Sequence, residues 1–410
     1  MSEHDRPGPY DVLIAGGGVV GLTLAVALKA SLGDIGRIIV CDPDAARTGP
    51  ASARASAVAA GPRHMLEALG VWPALGPVAQ PIRRMVITDS RLGDAVRPSF
   101  LRFGGAQDGD AHAHMVMNAD MVAALRARAA ELGVTTHAAR VTGVGPRRGG
   151  VEATLDDGAS VAARLIVAAD GAQSRLRGLA RIGMVGWTYD QVGIVATISH
   201  ERPHDGVAYE HFLPAGPFAI LPLQGDRSSI VWTERKADAP DFAAVTPGAI
   251  AAMIAERFGL AWGALRVDTP PRAFPLDMRI ARRFAGDRLA LLGDAAHTIH
   301  PIAGQGLNLG LRGVAALAEA IVAAMRVGGD PGAPAVLARY ERARRFDTIA
   351  MAAVTDGLNR LFANESTPLR LVRDLGLGLV DRAPALKAMF MREAAGATPH
   401  APPLLRGERL

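Results

Sequence analysis

The 410-residue chain is poor in cysteine, lysine and aromatic side chains, and each shortage excludes something. Its single cysteine, Cys41, rules out an internal disulfide and fits a reducing compartment. Cys41 lies in an apolar strand pattern, which suits a small buried residue better than a reactive thiol. Lys29, Lys236 and Lys387 are the only lysines, so the formal charge of +5 rests almost wholly on arginine. The arginines are scattered, with no basic block interleaved with aromatics, and nucleic acid is therefore not an expected partner. Met1 to Tyr10 is polar and lacks the apolar core of a signal peptide. Val12 to Leu28 is uncharged, but its four glycines break it into strand, turn and helix, so no transmembrane span is expected. With 49% apolar and 21% charged residues, the chain reads as a soluble globular protein long enough for two or three domains.

What is present begins with Val12-Leu13-Ile14-Ala15, a fully apolar run of the kind a buried parallel strand requires. Gly16-Gly17-Gly18-Val19-Val20-Gly21 follows, and then an apolar helical stretch to about Ala30. A G-x-G-x-x-G between strand and helix has a physical reading. Gly16 permits the tight turn, Gly18 lets a pyrophosphate reach the backbone, and Gly21 lets helix and strand pack closely. The free N–H groups and positive end of the helix would hold the phosphates. A second strand, Arg37 to Cys41, ends at Asp42, placed 21 residues past Gly21 to accept hydrogen bonds from a ribose diol. These features predict a dinucleotide site and do not separate FAD from NAD.

Two later strands also end in acids. Arg164 to Ala169 runs into Asp170-Gly171, with Ser174 and Arg177 beyond, and Arg288 to Leu292 runs into Gly293-Asp294. After the second comes Thr298 to Asn308, then an apolar helix through about Met325. Acids at the carboxyl ends of strands sit where open α/β sheets bind ligands.

Together the three glycines, Asp170-Gly171 and Gly293-Asp294 resemble the aromatic-ring hydroxylases, single-component FAD monooxygenases of the para-hydroxybenzoate hydroxylase type. The string from Gly293 to Arg312, with Arg54-Ala55-Ser56-Ala57 and Gly186 to Gln191, more narrowly resembles the ubiquinone-biosynthesis hydroxylases of the UbiH/UbiF group. The likeness spans about residues 11 to 395. It implies that Asp42 binds the adenosine ribose, that Arg54 and Asn118 lie along the ribityl–pyrophosphate path, and that Val141 touches the adenine side through its backbone. It also implies that Asp170 faces the pyrophosphate and the reducing nucleotide, and Asp294 the ribityl chain. Gly304, Gln305, Gly306, Leu307 and Asn308 would place backbone N–H groups under the flavin pyrimidine edge. One departure stands out: Gly313 follows Arg312 where the family often has an acid, which removes an ion pair expected at the helix surface.

This class of enzyme activates O₂ on reduced FAD and transfers one oxygen atom to an electron-rich ring. A helix start near Gly304 would meet the negative charge of the reduced flavin with N–H donors. Pro301, which cannot donate, would form an apolar wall over the ring. Because the cofactor carries the reactivity, no dedicated acid–base pair is required, and the catalytic residues stay unassigned. Asp294, His297 and His300 have a spacing that could mimic a metal site on a helix, but Gly293 and Pro301 argue for a turn and no metal is expected. His112 and His114 alternate on a strand pattern and read as solvated or core-edge residues.

Between the second and third motifs the period changes to two. Val192–Ser199, Val207–Leu213, Phe218–Leu223 and Ser228–Thr233 read as antiparallel strands separated by Pro/Gly turns. Phe218 and Trp232, with Pro301, are the candidate substrate-pocket residues, a sheet-core reading of the first two standing equally open. W-x-W, a mark of the related flavin halogenases, is absent among Trp72, Trp187, Trp232 and Trp262. From Arg344 onward the chain looks helical, and Leu361 to Met391 is a basic amphipathic tail suited to a membrane surface or to packing on its own core. Pro399, Pro402 and Pro403 predict a loose end.

The expected fold is therefore α/β: a discontinuous Rossmann-like FAD-binding domain (residues 1–84, 112–181 and 275–343), an inserted antiparallel-sheet substrate domain (85–111 and 182–274) and a C-terminal helical region (344–410). The expected function is FAD-dependent hydroxylation of a polyprenylated phenol in ubiquinone biosynthesis. It uses O₂ and NAD(P)H or another electron donor. Two alternatives stand beside it: hydroxylation of another aromatic compound, and a non-catalytic flavin-carrying subunit of a quinone-biosynthesis complex. A cytoplasmic location peripheral to the inner membrane, contact with such a complex and homo-oligomerisation belong to the same expectation.

Overall fold

The computed structural model describes residues 9–45, 54–89, 92, 99–103, 111, 113–259, 261–363 and 401–410. The apolar runs become strands where sequence placed them. Strand β1 (Tyr10–Ala15), helix α1 (Val19–Leu32) and strand β2 (Ile38–Cys41) form the first βαβ unit. Then come β3 (Ala55–Ala59), α2 (Ala60–Ala68), α3 (Trp72–Leu75), β4 (Gln80–Ile82), β5 (Arg84–Asp89), β6 (Ser99–Phe103) and β7 (Ala113–Met117). Next in order are α4 (Asn118–Glu131), β8 (Thr135–His137), β9 (Val141–Arg147), β10 (Gly150–Leu155), β11 (Ser160–Ala168) and α5 (Arg175–Leu179). The inserted region supplies β12 (Met184–His200), β13 (Val207–Leu213), β14 (Gly216–Leu223), β15 (Arg227–Arg235), α6 (Pro247–Phe258), β16 (Leu265–Val267) and β17 (Arg272–Ala281). The last stretch holds β18 (Ala285–Gly286), β19 (Leu289–Leu291), β20 (His297–Thr298), α7 (Gln305–Arg326) and α8 (Pro334–Phe362).

The nucleotide-binding sheet has the order β18-β19-β11-β1-β2-β8. Strands β19, β11, β1, β2 and β8 pair in parallel. Val12, Leu13, Ile14 and Leu165 to Ala168 are wholly enclosed, because helices cover both faces of such a sheet. Asp42, Asp170 and Asp294 thus follow three parallel strands at their carboxyl ends, as the discontinuous arrangement requires. Helix α7 is the one described helix long and apolar enough to cross a membrane, but it is a core helix, 78% buried over its most apolar stretch.

The second sheet runs β20-β17-β12-β15-β14-β13-β5-β6, and the small sheet β3-β7-β4 packs beside it. Its pairs are antiparallel with one exception: β5 runs parallel to β13, from Arg84 beside Val207 to Asp89 beside Phe212. Strand β17 continues to Ala281 and pairs with the start of β12, so the sheet crosses the expected boundary at 274/275. Helix α6 covers one face, packing Ile250, Ile254 and Phe258 on Phe218, Ile220 and Trp232.

Two expectations for the C-terminal region change. The helix begins at Pro334, ahead of Arg344, and most of the amphipathic tail falls at residues 364–400, outside the described residues. Residues 401–410 are not a loose end. A short 3₁₀ turn, Pro403–Arg406, buries Leu404 and Leu405 in the core of the nucleotide-binding domain. Arg326 donates to the backbone carbonyls of both Ser31 and Leu410. Pro402 and Pro403 shape a docked turn, and Pro399 lies outside the described residues.

Candidate active site

The three acid-bearing strand ends converge with two helix starts. At the first, Gly16 has φ +114° and a side chain there would strike the Ala169 carbonyl, so glycine is obligatory. Gly18 is the N-cap of α1 without a side-chain cap, and the space where its Cβ would stand is open. Asp42 lies over Gly17, accepts the Asp44 N–H at 3.1 Å and has Arg126 at 3.6 Å. Open space at an uncapped helix start beside a carboxylate suits a pyrophosphate and its ribose.

The second motif is locked to the third. Ser174 caps α5 by accepting the Arg177 N–H, and Arg177 donates to the Ala172 and Ala295 carbonyls, both at 2.9 Å. Asp170 Oδ2 accepts the Leu176 N–H at 3.2 Å, whereas its buried Oδ1 has no partner among the described residues. A sealed carboxylate oxygen without a donor is rarely tolerated in a complete site. Asp294 sits in a 3₁₀ turn at the open mouth of the cleft; desolvation pushes its carboxyl above the usual range, and Arg54 pulls it back. Arg54 itself lies 5.7 Å from the centre of the Phe274 ring.

At the third position Pro301 leads into a 3₁₀ turn, Ile302–Gly304, and Gly304 adopts φ +63° to start α7. The N–H groups of Gly306 and Leu307, in the first helical turn, have no intrahelical acceptor, and the space above Gly306 is open. Asn308 acts differently from its neighbours. Its Oδ1 accepts the Ala59 N–H at 3.0 Å, and its Nδ2 donates to the carbonyls of Ala57 at 2.9 Å and Gly304 at 3.2 Å. Its carboxamide holds the helix start against β3. On the far side Asn118 donates its N–H to the Arg54 carbonyl and its Oδ1 accepts from Ser56 at 2.7 Å. Val141 begins β9 with its side chain in the core and its backbone paired to Leu155, which leaves only main chain for the adenine side.

These features fit FAD: open backbone at two helix starts, three carboxylates at strand ends and one orphaned buried oxygen. When bound, FAD supplies the O₂ chemistry of its class. The residues around it bind, orient and exclude water.

Other expected residues fall elsewhere. Phe218 and Trp232 are fully buried on the α6 face of the substrate sheet; Trp232 donates to Glu234 and lies under Arg257 at 4.0 Å. They are corrected to core residues, because α6 covers the face to which their strand positions point. Pro301 alone of the three pocket candidates is at the cleft. Asp294, His297 and His300 do not share a helix, His297 being on β20 and His300 in the following loop. Gly313 is not at a surface either: it is buried, and an added side chain would meet Leu292. The neighbouring Arg312 pairs instead with Asp347 of α8 at 3.1 Å. His114 is on β7, edge-on to Trp72 at 5.2 Å, while His112 lies outside the described residues.

Sequence reasoning gave three groups no role of their own. Tyr189 donates to Asp356 of α8 at 2.7 Å and meets the His300 ring edge-on at 5.2 Å. His300 is fully buried, and neither ring nitrogen has a partner among the described residues. Burial holds it down to about 4, so it is neutral at physiological pH. The third is Glu210, enclosed in β13, where it is the one acid of the strand.

Comparison with known proteins resolves the cofactor. The family described as FAD binding domain matches residues 9–355. The chain belongs to that family. Ubiquinone hydroxylase UbiL of Rhodospirillum rubrum is 46% identical over 402 residues, covering 97% of this chain and 92% of the relative. The 3-demethoxyubiquinol 3-hydroxylase of Escherichia coli K12 is 33% identical, covering 95% and 99%. Among solved structures, p-nitrophenol 4-monooxygenase PnpA from Pseudomonas putida DLL-E4 superposes with a TM-score of 0.77 over 95% of this chain and 99% of that one. At 20% identity that likeness concerns the fold. This member is an FAD-dependent aromatic-ring monooxygenase, in agreement with the expectation drawn from residues 293–312.

Proposed function

We propose that the enzyme hydroxylates the ring of a polyprenylated phenol in ubiquinone biosynthesis, working in the cytoplasm at the surface of the inner membrane. One observation carries the substrate class. The sheet face turned toward Pro301–Gly304 is lined, around Glu210, by the apolar residues Ala208, Phe212 and Ala219, with Ile302 and Phe362 packed on Phe212. None of the described residues of β13 and β14 on this face is basic. A mostly apolar wall without a cation suits a prenyl chain and gives no partner to the carboxylate of a soluble aromatic acid. The names of the two relatives point to the same pathway.

Membrane contact is supported by Phe346, Ile349 and Val354, which stand exposed on α8, Phe346 by 81%. NAD(P)H or another carrier would reduce the flavin from outside, there being one G-x-G-x-x-G in the chain. Reduced holoenzyme mixed with ¹⁸O₂ and either a prenylated phenol or 4-hydroxybenzoate tests the reading. Label is expected in the prenylated ring; label only in the acid would favour a soluble substrate. Flavin reoxidation without labelled product from any phenol would favour a non-catalytic carrier.

A further inference from the structure

Strand β13 turns Ala208, Glu210 and Phe212 toward the nucleotide-binding domain, and Tyr209, His211 and Leu213 toward or beside α6. Ala208 clusters with Ala57 of β3, and Phe212 with Ile302. Ala57 and Ile302 flank Gly304: an added Gly304 Cβ would stand 3.6 Å from the Ala57 Cβ, and Ile302 is two residues away. Glu210 lies between the two contacts, so it faces the start of α7 where the flavin pyrimidine edge is expected. Its cross-strand neighbours on the same face are Ile87 and Ala219, both apolar.

Glu210 is 5% exposed, and its carboxyl has no hydrogen bond or ion pair among the described residues. Its oxygens are not among the fully sealed, unpartnered atoms that include Asp170 Oδ1. A buried carboxylate without a protein donor is costly unless the site is completed by something else.

We propose that Glu210 is a catalytic residue that accepts the proton of the substrate's ring hydroxyl and orients the ring by that contact. This rests on the aromatic-hydroxylase reading above. The phenol O–H bond breaks, its proton passes to the Glu210 carboxylate, and the electron pair stays on the ring oxygen. The electron-rich ring then takes the oxygen atom that the established reaction supplies, and the proton of the attacked ring carbon leaves to solvent as aromaticity returns. A base for this task works best when its affinity for protons is near the working pH. Burial alone pushes Glu210 up to about 7. On the same face Asp89 stands beside Phe212 on β5, and β14 contributes no titratable group. Tyr209 and His211 point to the opposite face.

The experiment uses the FAD-loaded enzyme, a short-chain 2-prenylphenol and its methyl ether. Chemically reduced enzyme is mixed with O₂ in single turnovers from pH 5.5 to 9. The wild-type rate on the phenol should rise through about pH 7 and level off, and this acid limb should be missing with the ether. Glu210→Gln, which keeps the shape, should slow the phenol about 100-fold or more and lose the acid limb, with FAD content unchanged. Its urea stability should also lose the decline that Glu210 imposes on the wild type from pH 4.5 to 7. An active wild type matched by the variant in rate and pH profile would overturn the role of Glu210 alone. An identical acid limb with phenol and ether would do so without any variant. A wild type that reoxidises its flavin but hydroxylates neither compound would remove the substrate reading, and the proposal with it.

Discussion

Asn308 and Ala59 join the two halves of the flavin site: the Asn308 Oδ1 accepts the Ala59 N–H at 3.0 Å across a gap of 249 residues in sequence. The same carboxamide donates to the Ala57 and Gly304 carbonyls. The start of α7 is therefore held at a fixed height above β3 before any cofactor binds. Asn308→Ala should leave the Ala59 N–H and Ala57 carbonyl unpaired and cost about 1–3 kcal/mol, together with weaker flavin retention. Thermal unfolding and the ratio of 450 to 280 nm absorbance check both.

Gly16 and Gly18 should separate folding from cofactor binding. Gly16→Ala places a methyl against the Ala169 carbonyl at a φ that L-residues avoid, so little folded protein should be recovered. Gly18→Ala meets nothing in the protein and has an ordinary φ of −75°, so the chain should fold with a normal melting temperature. Its methyl would occupy the space left for the pyrophosphate, and the purified protein should be nearly colourless.

Asp347 binds two buried cations, Arg312 at 3.1 Å and Arg344 at 2.6 Å, whose side chains are 6% and 8% exposed. Removing the anion takes an ion-pair partner from each buried guanidinium group. Asp347→Ala should cost about 3–5 kcal/mol, read as a lowered urea midpoint, with Asp347→Asn less severe.

Acid should destabilise the protein through His297 and His300. Burial holds His297 down to about 3 and His300 to about 4, against an ordinary value of 6.5. From pH 6.5 down to 4 the unfolded chain therefore takes up protons that the folded chain refuses, and stability falls as pH falls. Each group contributes up to about 1.4 kcal/mol per pH unit in that window. Glu210 acts in the opposite sense, since its affinity for protons is raised on folding. The clean reading is a difference: His300→Phe should lose less stability than the wild type between pH 6.5 and 4 in urea titrations.

Deleting residues 401–410 should destabilise the nucleotide-binding domain, because Leu404 and Leu405 are 1% and 2% exposed within its core. Burying each is worth about 1.5–3 kcal/mol. The deletion should lower the melting temperature of the FAD-free protein, and Leu404→Ala with Leu405→Ala should reproduce most of the effect.

The nucleotide-binding half was legible because its strands are buried on both faces. An unbroken apolar run such as Leu165–Ala168 allows little else, and an acid directly after it marks the ligand edge. The substrate sheet was legible as strands but not as faces. Phe218 and Trp232 look like pocket residues until α6 is placed over them, and the sequence of Pro247–Phe258 does not say which face of the sheet it covers. Asn308 was legible as part of a motif, though its carboxamide serves the scaffold. Glu210 and Tyr189 were missed because each matters through a neighbour more than a hundred residues away, or through the absence of any neighbour.

The docking of Leu404 and Leu405 near α2 has a consequence for the order of assembly. During synthesis β1, α1, β2 and α2 emerge first, yet the wall that closes their core arrives hundreds of positions later. Strand β19 is also late, following the complete β12–β17 region. The substrate sheet, whose core residues lie in one continuous stretch, can condense while the nucleotide-binding half is still an open platform with its apolar side uncovered. A ribosome that stalls within α7 would therefore display a finished roof on an unfinished floor, and that intermediate is the species a chaperone would meet.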